Sequence, residues 1–160
     1  MNLFVTGLPG SGKSLIAKIL REDFGYTVIE VENILEIETG KDLYTLIQLN
    51  GFKQVAKMER KIVDRFAKSC DKIVIGCGVL YEHSFQNYMI IYIKVPKQNF
   101  INRVRKYASL KVLEEHYFNF HRQYSNQAAL VISREHKTKY EIAMIISDFF
   151  RKNIIRYENT

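Results

Sequence analysis

The segment from Gly7 to Ser14 constrains this chain more than any other part of its sequence. It reads Gly-Leu-Pro-Gly-Ser-Gly-Lys-Ser and fits the pattern G-x-x-x-x-G-K-[ST] of a phosphate-binding loop. A short apolar run at residues 2–6 precedes it, and an amphipathic stretch at residues 14–24 follows it. A strand, a Gly-rich turn and a helix in that order are the setting in which such a loop binds nucleotide phosphates.

Each residue type in this loop has a chemical reason to be there. Gly7, Gly10 and Gly12 are expected to turn the backbone with positive φ and to bring its N–H groups against phosphate oxygens. Lys13 is expected to reach the β- and γ-phosphates, and the Ser14 hydroxyl to bind Mg²⁺. The following helix points its positive dipole end at the same anion. The residues that we predict to bind ATP here are Gly7, Gly10, Ser11, Gly12, Lys13, Ser14 and Leu15.

Short apolar runs alternate with amphipathic stretches along the rest of the chain, which predicts an α/β fold with a mainly parallel sheet. No repeat, low-complexity tract or linker interrupts the pattern, so we predict one domain over residues 1–160. We predict strands at residues 2–6, 26–31, 72–75, 89–95 and 129–132. We predict helices at residues 14–24, 33–40, 52–69, 98–106, 112–127 and 141–151, and one more that Asp42 caps.

The composition excludes several classes of protein. Hydrophobic residues make up 47% of the chain, yet no stretch approaches the roughly 20 apolar residues of a membrane helix. The N-terminal residues do not include a basic segment followed by a long apolar run, so we expect no signal peptide. Cys70 and Cys77 are too few for a disulfide framework. We therefore expect a cytoplasmic protein with no membrane partner.

The net charge of +7 is open to two interpretations. It is compatible with a polyanionic partner such as nucleic acid, or with lysines that coat solvated helix faces. No basic run alternates with aromatic residues as in a nucleic-acid site. We therefore favour the second interpretation and expect a monomer with a small-molecule substrate.

Two carboxylates, Glu30 and Glu32, stand at the end of the second predicted strand. Ligands of parallel α/β sheets bind at the carboxyl ends of the strands. We predict that Glu30 holds Mg²⁺ through water and that Glu32, with Lys13, is catalytic and faces the acceptor hydroxyl. The residues alone leave open that both glutamates are solvated at the edge of a loop.

The triplet Gly76-Cys77-Gly78 follows the predicted strand at residues 72–75. Glycines at the end of a strand allow a ligand to approach the backbone closely. We therefore include Gly76, Cys77 and Gly78 among the substrate-binding residues, although a plain turn explains the same residues equally well. Cys77 is expected to act as a small apolar residue rather than as a reactive thiol.

Together these residues resemble the shikimate kinase family, within the nucleoside-monophosphate-kinase-like P-loop proteins, over nearly the whole chain. Family positions fall on Glu30-Val31-Glu32 and then, without a gap, on Glu36, Gly40, Gly51 and Glu59. Further matches are Gly76-Cys77-Gly78, Arg103, Tyr124 and Ala128. The resemblance implies a three-layer P-loop fold with a five-stranded parallel sheet in the order 2-3-1-4-5, helices on both faces and a lid. It also implies ATP with Mg²⁺ as donor, a small-molecule hydroxyl as acceptor, and Arg103 beside the adenine.

The sequence departs from the family pattern mainly on the acceptor side. Two family arginines that grip a substrate carboxylate fall on Ala56 and Phe120, and neither residue pairs with a carboxylate. If the acceptor is an acid, we predict that Lys53, Arg60 or Arg122 replaces them. The lid lacks the family's Arg-Pro-Leu-Leu, and we predict that Lys111 brings a cation to the phosphates instead.

Three hypotheses for the function follow from these residues. The first is an ATP-dependent small-molecule kinase resembling shikimate kinase, with shikimate as the named candidate acceptor. The second is a kinase of the same fold that acts on a nucleoside monophosphate or another hydroxylated metabolite. The third is a nucleotide-binding regulator without turnover. ADP release that rises with one acceptor separates the two enzymes from the regulator.

Overall fold

Five short strands form one parallel sheet in the order β2-β3-β1-β4-β5, the order implied by the resemblance. The computed structural model describes residues 1–155, so the last five residues of the predicted domain lie outside it. The strands are β1 Asn2–Thr6, β2 Val28–Glu30, β3 Ile73–Ile75, β4 Tyr88–Lys94 and β5 Leu130–Ser133. The helices are α1 Lys13–Glu22, α2 Val31–Thr39, α3 Leu43–Phe66, α4 Lys97–Val104, α5 Leu110–Gln127 and α6 Lys139–Asn153.

The sheet carries helices on both faces because its central strands are apolar on both sides. In β1, Phe4 faces the core formed with α2, α3, α4 and α5, whereas Leu3 and Val5 face the core formed with α1 and α6. All three side chains are fully buried. This alternation fixes the register of β1 between β3 and β4, and it places the loops after β1, β2 and β3 at one edge of the sheet.

β2 is shorter than the predicted 26–31, and two helices differ from the prediction for physical reasons. α2 begins at Val31 rather than after Asn33, because Glu30 already takes the extended conformation of an N-cap. α3 joins two predicted helices across Gly51, whose φ of 77° and ψ of 163° break the helix without a loop. The Asp42 cap is confirmed, since its carboxylate accepts the Thr45 N–H at 2.8 Å. Across residues 1–155, every helix is too short or too polar to span a bilayer.

Candidate active site

The loop after β1 has the backbone geometry that binds phosphate oxygens. Gly10 and Gly12 have φ of 98° and 81°, so the predicted left-handed turns are confirmed at both positions. The prediction is wrong for Gly7, which is absent from the positive-φ residues. Gly7 is required for space instead, because a Cβ there would lie 2.7 Å from the Ile93 carbonyl oxygen. α1 begins at Lys13, so its N-terminus opens toward the loop.

Lys13 is buried, with 8% of its surface exposed. Its ammonium donates to the carbonyl oxygens of Gly7 and Leu8, the latter at 3.3 Å, and to the Ser11 hydroxyl at 3.1 Å. Burial lowers the pKa of Lys13 to about 8, and the carboxylate of Glu32 opposes that shift. A poorly solvated ammonium of this kind favours a nearby anion.

The two predicted carboxylates have different surroundings. Glu32, in the first turn of α2, lines the same cavity as Lys13. Burial raises the pKa of the Glu32 carboxyl, and the Lys13 ammonium opposes that shift, so this carboxylate accepts a proton more readily than an exposed glutamate does. The Glu30 carboxylate instead accepts from Arg21 at 2.7 Å and from Asn33 at 3.2 Å. Because Arg21 holds it, the structure does not bring Glu30 into the lining of this cavity.

The cavity over the P-loop has a volume of about 310 Å³. Four cationic side chains and a single carboxylate line it, so its charge suits an anionic ligand. A wider depression of about 560 Å³ lies mostly along residues 82–90, and no P-loop residue lines it. The residues that line the P-loop cavity are Pro9, Gly10, Gly12, Lys13, Ser14, Leu15, Glu32, Leu43, Tyr44, Cys77, Arg103, Arg134 and Lys139.

The predicted triplet after β3 packs on the P-loop. Gly78 has φ of 83°, and a Cβ on it would lie 2.4 Å from the Gly7 carbonyl oxygen, so a larger residue would push the two loops apart. Within the triplet, Cys77 lines the cavity, whereas Gly76 and Gly78 support it from behind. Burial raises the pKa of the Cys77 thiol well above its usual value, which keeps the thiol protonated and supports its interpretation as a small apolar residue.

A buried carboxylate holds this loop in place. Glu59 on α3 has no exposed surface and accepts the backbone N–H groups of Cys77 at 2.7 Å, Val79 at 3.3 Å and Leu80 at 2.8 Å. Three charge-assisted hydrogen bonds from the backbone of one loop compensate the carboxylate for its loss of water. The shape of the acceptor side of the cavity therefore depends on Glu59.

Aromatic rings occupy the region where the family arginines would stand. Ala56 and Phe120 are buried, and Phe52, one turn before Ala56, stacks on the His116 ring with centroids 4.0 Å apart. His116 Nε2 lies 3.2 Å from the Gly78 carbonyl oxygen, to which it donates. Burial lowers the pKa of His116 to about 4, so this ring is neutral at pH 7. These buried rings do not line the P-loop cavity, and they leave no cation at the two family arginine positions.

Residues 105–109 connect α4 to α5 and occupy the position of the predicted short lid. Arg103, just before them, lines the cavity, and its Nε donates to the Tyr44 hydroxyl at 3.0 Å. The Tyr44 ring stacks on Tyr107 with centroids 5.0 Å apart, which ties this connection to α3. Lys111 is exposed on α5 and does not line the cavity.

The structure does not bring the three proposed replacement cations to the P-loop cavity. Lys53 and Arg60 point away from it along α3 and line a second cavity of about 270 Å³, together with Ala56. Arg122 is exposed on α5 and lines neither cavity. These side chains lie on helix faces that the core does not cover, so helical spacing from Ala56 or Phe120 did not predict their direction.

Five residues of the cavity are missing from the predicted site residues: Pro9, Leu43, Tyr44, Arg134 and Lys139. A signal existed for Arg134 and Lys139, because they follow the last strand at the sheet edge where ligands bind. No such signal marked Tyr44, which reaches the cavity only because α3 begins beside the P-loop.

Comparison with known proteins agrees with this geometry. The sequence-family model described as shikimate kinase matches residues 9–151. A shikimate kinase of Persephonella marina is 25% identical over 153 residues, covering 88% of this chain and 93% of that protein. One of Dehalococcoides mccartyi is 25% identical, with 99% of this chain and 96% of that protein covered. The solved shikimate kinase of Acinetobacter baumannii in complex with shikimate has a TM-score of 0.74 at 16% identity, covering 95% of this chain and 93% of its own. The present chain has the P-loop and the sheet order described above, and the shikimate kinase family model matches most of its length. The chain therefore belongs to the shikimate kinase family.

Proposed function

We propose that this protein transfers the γ-phosphoryl group of ATP to a hydroxyl group of a small metabolite. The observation that carries this proposal is a single cavity lined by Lys13, Ser14 and Glu32. Phosphoryl transfer depends on positioned charge and on a group that orients the attacking hydroxyl, and these residues supply both. Membership of a kinase family supports the same activity and does not favour a regulator without turnover.

In this proposal, Lys13 and Glu32 have complementary roles. The Lys13 ammonium stabilises the negative charge of the β- and γ-phosphates in the transition state. The Glu32 carboxylate accepts the proton of the acceptor hydroxyl. The hydroxyl oxygen of the acceptor bonds to the γ-phosphorus while the bond between that phosphorus and ADP breaks. The products are ADP and a phosphorylated acceptor, and the proton leaves from Glu32 to solvent.

The donor set fits Mg²⁺. The Ser14 hydroxyl is exposed at the cavity, and Glu32 is the single carboxylate in its lining. Within residues 1–155, no cluster of three or more His, Cys, Asp or Glu side chains offers a complete protein cage. Mg²⁺ in kinases is held by few protein oxygens together with phosphates and water, so Ser14 would be its direct protein ligand. Glu30 would act only through water, since Arg21 holds its carboxylate. When bound, the ion would neutralise charge on the β- and γ-phosphates.

Shikimate is the first acceptor to test, because the relatives that match this chain are shikimate kinases. The carboxylate grip of this chain is nevertheless changed, since Ala56 and Phe120 stand at the two family arginine positions. An unpaired carboxylate in a closed site costs binding energy. We therefore expect shikimate to bind more weakly than an acceptor that has no carboxylate.

The test is a panel of acceptors measured in two ways. ADP release and the mass of the phosphorylated product are followed with ATP and Mg²⁺ in the presence of shikimate, a neutral polyol or a nucleoside monophosphate. The proposal predicts ADP release that depends on one acceptor, matched by an equal amount of its phosphate ester. Lys13→Ala should lower the rate of this phosphoryl transfer by several orders of magnitude. ATP binding without a phosphorylated product from any acceptor would contradict the proposal.

A further inference from the structure

We propose that the second cavity, between α3 and the loop after β3, binds a small organic dianion whose charges are attached to a hydrocarbon skeleton. The cavity has a volume of about 270 Å³ and shares no lining residue with the P-loop cavity. It is thus a separate site, and its volume suits a ligand of one ring. The inference goes beyond the proposed function and does not depend on phosphoryl transfer.

Three cations of α3 form one wall of this cavity. Lys53, Lys57 and Arg60 follow one another at spacings of four and three residues, which places them on one face of the helix. Side chains of like charge at these spacings repel one another and weaken a helix. A negatively charged ligand would offset this repulsion, so the cluster suits an anion.

The protein neutralises this wall only in part. Within residues 1–155, no carboxylate lies within 4.0 Å of Lys53 or Lys57. Arg60 contacts Asp64 at 3.8 Å, and the side chains of both are more than half exposed, so this ion pair is weak. Glu82 is the single carboxylate in the lining. The lining therefore carries two more positive than negative charges, which matches a dianion.

The floor of the cavity is apolar. Ala56 and Leu80 are buried, and Tyr81 beside them is half-buried. Ala56 stands at a family arginine position, and its short side chain leaves room that a longer one would fill. Burying a hydrocarbon skeleton on this floor adds binding energy that an inorganic anion cannot gain. The cavity therefore favours an organic anion over free phosphate.

One carboxylate connects this floor to the P-loop cavity. Glu59 Oε2 accepts the Leu80 N–H at 2.8 Å, and its Oε1 accepts the Cys77 N–H at 2.7 Å. Leu80 lines the second cavity, whereas Cys77 lines the P-loop cavity. The Tyr124 hydroxyl donates to the Leu80 carbonyl oxygen at 2.5 Å. We therefore expect a ligand on the floor to change the surroundings of the Cys77 N–H as well as those of Leu80.

The test is an NMR titration of isotope-labelled protein, saturated with ADP and Mg²⁺ so that the P-loop cations are occupied. The probe is isophthalate, a rigid ring with two carboxylates. A ligand of this size is expected to have a Kd on the order of 1 mM. Its binding should shift the amide signals of Leu80, Tyr81 and Cys77. Benzoate, inorganic phosphate and neutral benzyl alcohol should each bind more weakly, because each lacks one charge, the ring or both charges.

Three variants locate the site. Lys57→Met keeps the methylene chain and removes one charge, so it should weaken isophthalate binding about fivefold, the upper range for an ion pair at an exposed position. Lys61→Met, on the same helix but outside the lining, is the matched control and should bind as the wild type does. Ala56→Val takes space from the ring rather than charge, so it should weaken isophthalate and benzoate to a similar extent.

The outcomes are separate from those for the proposed function. Leu80 and Tyr81 signals that do not saturate with isophthalate would overturn the inference. Equal weakening in Lys57→Met and Lys61→Met would also overturn it, because general surface charge would then attract the ligand. An unchanged Cys77 signal would overturn the connection to the P-loop cavity. Urea unfolding checks that each variant keeps its fold, and a wild-type protein that binds isophthalate without any turnover would contradict the proposed function alone.

Discussion

At the scale of single residues, burial disfavours the charged forms of the site's two central groups. The pKa of Lys13 is lowered to about 8, and that of the Glu32 carboxyl is raised, chiefly because both have lost water. The charge of each group partly offsets the pKa shift of the other group. A nucleotide phosphate would add a stronger partner for Lys13, so binding and protonation are linked in this site.

The Lys13 shift predicts how ATP affinity depends on pH. Below pH 8 the ammonium of the free protein is charged and available to the phosphates, and above about pH 8 it loses its proton. We therefore expect the affinity for ATP to fall as pH rises through 8. Lys13→Arg keeps a positive charge at this position throughout the range. The ATP affinity of this variant, whether equal to or below that of the wild type, should therefore stay constant there. Parallel curves for both proteins, measured by calorimetry from pH 7 to 9.5, would contradict this cause.

His116 predicts a pH dependence of stability. The folded-state pKa of about 4 lies below the ordinary 6.5, so the unfolded chain binds more protons between these values. The resulting penalty is fully present below pH 4 and absent above 6.5. At about 1.4 kcal/mol per pKa unit it amounts to about 3 kcal/mol. Nδ1 of the ring has no hydrogen-bond partner within residues 1–155, so nothing there compensates a second proton.

The measurement is urea unfolding at pH 4.5 and pH 7. His116→Gln retains an N–H donor for the Gly78 carbonyl and removes the titration, so it should lose less stability on acidification than the wild type. The exposed His136 provides the control, and His136→Asn should follow the wild type. An equal loss in all three proteins would show that His116 is not the group responsible.

At the scale of elements, the site depends on contacts between loops at the sheet edge. α3 carries Glu59, which holds the loop after β3, and that loop in turn packs through Gly78 on Gly7 of the P-loop. The lid connection is tied to the start of α3 through Tyr44 and Tyr107. α3 therefore contacts both the acceptor side and the lid side of the cavity.

Glu59→Gln tests this arrangement. The amide keeps the volume but has one acceptor oxygen and places an NH₂ group against backbone N–H donors. We expect a loss of about 2–4 kcal/mol in the free energy of unfolding, typical of breaking a buried charged network. Glu114→Gln, which removes an exposed partner of Lys97, should cost at most about 1 kcal/mol. Urea unfolding at pH 7 compares them, and equal stabilities would contradict the role of Glu59.

At the scale of the whole molecule, the P-loop pattern and the apolar strands predicted an α/β fold with a parallel sheet, and the family resemblance supplied the strand order. The β1 sequence and Gly7 to Ser14 are local, so their geometry follows from residue type and spacing. The direction of Arg60, the pairing of Glu30 with Arg21 and the approach of Lys139 to Gly12 depend on how separate elements pack. Spacing along one element contains no information about such contacts, which is why the acceptor side was predicted less well than the nucleotide side.

The most direct test of this account compares Glu32→Gln with the wild type in a single-turnover reaction with ATP, Mg²⁺ and the acceptor identified from the panel. Because Glu32 is assigned to the acceptor hydroxyl, ATP affinity should change little, while the rate of ester formation should fall about 10²- to 10⁴-fold, the range of a lost general base. Glu38→Gln, at an exposed position further along α2 that does not line the cavity, should react at close to the wild-type rate. Ester formation by Glu32→Gln at the wild-type rate would contradict the central claim that the carboxylate beside Lys13 drives phosphoryl transfer.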